Sequence, residues 1–168
     1  RHQCAAGPKV WRLISSFHIE FGDETVFSLP LHSPSGWNVV SSSVPDQVTV
    51  SQEQEMLTLT CAQGFTAYSS LDVEFTYEHE AQQGPFALSL PSLVNAGHRE
   101  HGLVLYSAPS IDLHIFAPIP WRNVRGDNDL SLPREEMRAQ LRMQGEPLAV
   151  EITALARPAS CEAEAVLY

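Results

Sequence analysis

Lysine is nearly missing from this chain. Lys9 is the only one among 10 basic residues, which face 20 acidic ones for a formal net charge of −10. Such a field repels phosphate backbones and anionic headgroups, so nucleic acid and anionic membrane surfaces are poor partners. Long apolar runs are missing too. No stretch approaches the ~20 apolar residues of a membrane-spanning helix, so no transmembrane segment is expected. Only three cysteines occur, Cys4, Cys61 and Cys161, and their spacing matches no zinc or redox motif. There is no H-E-x-x-H, no G-x-S-x-G elbow and no glycine-rich phosphate loop, which removes the motif basis for a zincin, a serine hydrolase of that type or a nucleotide binder. The chain opens on Arg1 rather than methionine, which reads as a processed or trimmed product.

What is present is a globular composition, 43% hydrophobic and 18% charged, in a chain of 168 residues. That size suits one domain spanning residues 1–168, with enough buried surface to fold without disulfides. Period-two alternation dominates. From Trp11 to Phe21 the odd positions are largely apolar and the even ones largely polar, as in a half-buried strand. Leu71, Val73, Phe75 and Tyr77 alternate with Asp72, Glu74, Thr76 and Glu78 in the same way. Further strands are expected near 27–31, 37–42, 47–51, 56–62, 85–90, 102–107, 111–117, 147–156 and 162–168, separated by Pro, Gly, Ser and Asn clusters. This spacing points to a mainly β fold, an antiparallel β-sandwich or jelly-roll-like domain. One segment departs from it. Ser131 as a cap, Pro133 in a first turn, Glu135 and Glu136 at the positive end of the dipole, Met137 and Leu141 at i, i+4, and Gly145 as a stop predict one short helix over 132–144.

Gly36-Trp37-Asn38-Val39-Val40, Gln47-Val48-Thr49-Val50 and Met56-Leu57-Thr58-Leu59-Thr60 resemble the opening strands of concanavalin-like lectin and glucanase jelly rolls. Leu57-Thr58-Leu59-Thr60-Cys61 is similar to the second strand of immunoglobulin-like domains, but no second core cysteine follows a tyrosine at a suitable distance. The paired catalytic carboxylates of the glucanases are not visible, so these resemblances imply a sandwich and no activity.

Cys61 shares a face with Leu57 and Leu59 and reads as a buried apolar side chain. Cys4 and Cys161 lie near the two ends of the chain, and a disulfide between them would imply an oxidising, secreted or periplasmic setting. Asp72, Glu74, Glu78 and Glu80 form an acidic ridge on one strand face, either a solvated surface or half of a calcium site. The metal-ligand candidates are His98, His101 and His114, with Asp112 beside His114 on one strand face; two histidines and a carboxylate could hold a divalent transition metal or orient a general base. Otherwise no cofactor is expected. Arg125-Gly126-Asp127 offers a cation and a carboxylate on a loop, the chemistry of adhesion to a metal-bearing receptor. Trp37 and Trp121, with Tyr68 and Tyr106, are aromatic contact candidates whose alternative place is the core. Arg134, Arg138 and Arg142 would form a basic stripe on the expected helix.

The leading expectation is a non-enzymatic extracellular or periplasmic binding module recognising a protein or carbohydrate surface through Trp37, Trp121, Arg125 and Asp127. The alternatives are a small metal-assisted hydrolase built on the histidine–carboxylate cluster and a structural or assembly subunit. Oligomeric state is not legible.

Overall fold

The two longest strands are the two segments with the cleanest alternation. A computed structural model of the chain describes residues 1–22, 25–65, 70–81, 84–97, 99–124 and 137–157. Its strands are β1 (His2–Ala6), β2 (Val10–Glu20), β3 (Ser28–His32), β4 (Asn38–Ser43), β5 (Val48–Glu53), β6 (Met56–Cys61), β7 (Ser70–Glu80), β8 (Gly84–Leu88), β9 (Ser92–Leu93), β10 (Glu100–Ser107), β11 (Ile111–Phe116), β12 (Arg122–Asn123), β13 (Met137–Gln144) and β14 (Val150–Ala156). They form a seven-stranded sheet of order β12-β13-β10-β1-β2-β7-β4, a four-stranded sheet β5-β6-β3-β9 and a three-stranded sheet β11-β14-β8. The described pairings are antiparallel except β1 with β10, which run parallel. The mainly β, sandwich-like expectation therefore holds.

Register explains how the core is filled. β2 and β7 pair along their whole length, with Leu13 opposite Tyr77, Ser15 opposite Phe75 and Ile19 opposite Leu71. Because paired residues share a face, the apolar sets of both strands point to the same side. Leu13, Phe75 and Tyr77 are fully buried there. The smaller sheets close over that side with Leu31, Leu57, Leu59 and Cys61 from β3 and β6 and Leu88, Val150 and Ile152 from β8 and β14. Trp11 meets Phe86 edge-on at 5.2 Å, joining the large sheet to the three-stranded one.

The short helix is corrected over its described part. Residues 137–144 are strand β13, hydrogen-bonded antiparallel to β10 with Leu141 opposite Leu103 and Met143 opposite His101. The i, i+4 spacing of Met137 and Leu141 is also two strand repeats, so that pair satisfies both periods. Ala139, Leu141 and Met143 share one face at spacing two, and the open edge of β10 supplied ladder partners that outweighed local helix propensity. The arginine stripe dissolves with the helix: Arg138 Nε donates to Ser107 Oγ at 2.7 Å. Residues 132–136, with Arg134, and the expected strand 162–168 lie outside the described residues. Strands β1, β9 and β12, all short, were not expected.

The disulfide is corrected as well. Cys4 and Cys61 are buried free thiols, and Cys161 lies outside the described residues. Burial pushes the Cys4 thiol up to about 12. At pH 8 its thiolate fraction is then ~10⁻⁴, and the thiolate is the nucleophile. Iodoacetamide labelling of Cys4, followed by peptide mass spectrometry, should be at least ~10³-fold slower in the native protein than in urea. Native labelling at the rate of a free peptide thiol would place Cys4 outside the core.

Candidate functional site

A cleft of about 1010 Å³ opens at the end of the seven-stranded sheet where β1 begins. Its position follows from strand lengths. β1 sits between β2 and β10, but its ladder starts at His2, opposite Ser15 and Leu103, and is extended one position by Arg1, whose backbone exchanges hydrogen bonds with Ser16 at 2.7 and 2.8 Å. β2 continues four residues further, to Glu20, and β10 begins two residues earlier, at Glu100. Ile19, Phe21, Leu29, Leu93, Leu103 and Leu141 give the cleft apolar walls, and His18, Glu20, Glu100, Arg1 and Arg142 give it a charged rim.

Beside the cleft lies a buried polar chain. His2 Nδ1 is 2.9 Å from Ser15 Oγ, and His2 Nε2 is 3.2 Å from His101 Nδ1. The two imidazoles stack with centroids 5.5 Å apart, and His2 packs edge-on against Phe17. Serine, histidine and a second histidine in series have the connectivity of an activated nucleophile. However, Ser15 is fully buried and His2 is 1% exposed. A nucleophile must reach substrate, so this chain is structural. Burial first, then the Arg1 α-ammonium and His101, hold the His2 imidazole well below its usual pKa. Burial first, then the α-ammonium and Arg99, lower His101 to about 4, with Glu146 opposing. Both rings are neutral at pH 7. Sequence reasoning passed over His2 and Ser15; the available signal was Ser15, a polar residue in the apolar set of residues 11–21.

The residues singled out from sequence do not converge. Trp37 is 5% exposed and packs on His79 and Phe86; Trp121 is 7% exposed and its Nε1 donates to Leu148 O at 2.8 Å. Both occupy the core, the alternative place named for them, and Tyr106 is buried too. His101 is on β10 of the large sheet, whereas Asp112 and His114 are on β11 of the three-stranded sheet. Asp112 accepts a hydrogen bond from Arg157 Nε at 3.2 Å, which lowers its carboxyl below the usual range. Among the described residues no group of three or more His, Cys, Asp or Glu side chains is placed to hold a metal ion. His98, Arg125, Asp127 and Tyr68 lie outside the described residues.

The acidic ridge is matched across the ladder. Arg12 Nη2 pairs with Glu78 at 2.6 Å, Ser16 donates to Glu74 at 2.8 Å, and His18 Nδ1 meets Asp72 at 2.8 Å. The His18–Asp72 hydrogen bond and charge raise the His18 pKa. These partners are directly opposite in register, so Arg12 and His18 of β2 offset part of the like-charge repulsion along β7. No known protein family matches the chain, and neither does any curated protein.

Proposed function

We propose that the chain is a non-enzymatic binding module that takes a protein or carbohydrate ligand in the cleft at the end of the seven-stranded sheet. The observation that supports this is the cleft itself, about 1010 Å³, with apolar walls and a charged rim. Binding sites of this kind combine apolar area for affinity with a few polar groups for orientation. Leu103 and Leu141 of the wall are buried and directly paired across β10 and β13, so little ordering of that wall would be required on binding. The free Cys4 thiol withdraws the disulfide argument for an oxidising compartment.

Screening the purified chain on peptide and glycan arrays, and measuring each hit by calorimetry, tests the reading. Leu93→Arg and Glu100→Lys alter the wall and the rim of the cleft, whereas Glu151→Lys changes an exposed residue on β14. The expected result is at least tenfold weaker binding, about 1.4 kcal/mol, for both cleft variants and no change for Glu151→Lys. Hits that bind all three variants equally, or arrays without a hit, would refute it.

A further inference from the structure

We propose that β11 is a self-association edge: two copies of the chain pair their β11 strands antiparallel about a two-fold axis at His114, joining two three-stranded sheets into one. The surface is separate from the cleft, which no residue of β11 lines. Edge strands are commonly blunted against such pairing. Here β8 carries Pro85, β4 has a bulge between Val39 and Ser41, and β9 and β12 are two residues long. β5 exposes the polar side chains of Thr49, Ser51, Gln52 and Glu53. β11 runs for six residues without proline or bulge, and its one acid, Asp112, is already offset by Arg157. It also presents Phe116, which is 64% exposed.

The phase of the hydrogen bonds carries the inference and sets the register. Arg157 N donates to Ser110 O at 2.8 Å, continuing the β11–β14 ladder in which Ile111 opposes Ala156. Bonded pairs recur every second residue of an antiparallel ladder, so Asp112, His114 and Phe116 direct their N–H and C=O groups at β14. Ile111, Leu113 and Ile115 direct theirs away from it. Ile111 is satisfied within its own turn: its N–H donates to Ala108 O and its C=O accepts from Ser107 Oγ, both at 2.9 Å. Among the described residues, the outward N–H and C=O groups of Leu113 and Ile115 have no partner. One register within the strand uses all four. With His114 opposite its own copy, Leu113 of each chain exchanges both bonds with Ile115 of the other. Centring the axis on Leu113 would call on the Ile111 N–H, which is taken. Centring it on Ile115 would call on Ala117, past the end of β11 and next to the turn in which Trp121 N donates to Pro118 O.

The side chains agree with that register. Leu113 and Ile115 are both half-buried against the core, and each would meet the other across the two-fold axis. On the outer face, Phe116 stands opposite Asp112 of the other copy, where Arg157 offers its guanidinium to the ring. Donors, acceptors, apolar pairs and the cation are thus matched by the same strand turned through the two-fold axis, which fits a second copy of this chain.

Sedimentation equilibrium of the full chain, at up to about 1 mM to reach a small interface, tests this with His114→Asp, His114→Lys and an equimolar mixture of the two. His114 is exposed and opposite Thr153 in its own sheet, so neither substitution touches the core. The wild-type chain is expected to dimerise. Each variant alone should associate at least tenfold more weakly, because like charges then face each other directly, and the mixture should associate at least as tightly as wild type. His114→Cys in a Cys161→Ser background reads the register. Facing Cα atoms about 4.5 Å apart suit a disulfide, whereas Asp112→Cys would stand about 14 Å from its copy and should not cross-link. A chain that stays monomeric, a dimer indifferent to both charges, or a mixture no tighter than its components would overturn the proposal. Cross-linking of Asp112→Cys as fast as that of His114→Cys would overturn it too.

Discussion

Phe75→Ala is expected to lower the unfolding free energy by about 3–5 kcal/mol, the range for truncating a buried aromatic ring. Phe75 is fully buried at the centre of β7, opposite Ser15. Its ring lies 6.4 Å from Phe17 and 6.3 Å from Tyr77, so alanine removes aromatic neighbours as well as volume. A domain of this size has only about 5–15 kcal/mol in hand, and the melting temperature should fall by roughly 10 °C. Phe75→Leu keeps most of the volume and should cost less than about 1.5 kcal/mol. Urea titrations of the three proteins at pH 7 check both numbers. A loss under 1 kcal/mol for alanine would mean that the ring does not sit between the sheets.

Acid should destabilise the protein before its carboxylates titrate. His2 and His101 are neutral and buried when folded, with pKa values below the ordinary 6.5, that of His101 at about 4. The unfolded chain therefore binds more protons than the folded one between those limits. The stability from this pair is fully present above pH 6.5 and is lost as pH falls toward 4. Each imidazole can contribute up to about 1.4 kcal/mol per pH unit. The slope reaches its limit only well below pH 6.5 and declines again toward pH 4, so we expect a combined loss of about 3 kcal/mol between pH 6.5 and 4.5. Replacing His2 by phenylalanine keeps an aromatic ring against Phe17 and removes one titrating group, so the slope should fall by about half. A urea midpoint that stays level from pH 7 to 4.5, or an unchanged slope in His2→Phe, would contradict the neutral buried pair.

How legible the fold was depended on whether one face of each strand meets water. β2, β6 and β7 do, and their alternating sets were readable residue by residue. β10 does not: Val104 and Tyr106 are buried along with Leu103 and Leu105, and alternation fades when both faces are dry. β13 was hidden differently, since four-residue spacing fits a helix and a strand alike and only the edge of β10 chose between them. The candidate site was barely legible. Its walls come from segments far apart in the chain, Ile19, Leu29, Leu93, Leu103 and Leu141, and a pairing register has no local sequence signature when the partners are as distant as His2 and Leu103.

Two-faced strands and the burial of Cys61 were determined by the sequence alone, because the order of apolar and polar side chains along an extended backbone dictates which face is dry. Tertiary structure alone decided that β1 runs parallel to β10, that residues 137–144 are extended, and that His2 meets His101. Each depends on which distant edge a segment finds, and that choice is made by ladder hydrogen bonds and packing across the sheet rather than by any preference of the segment itself.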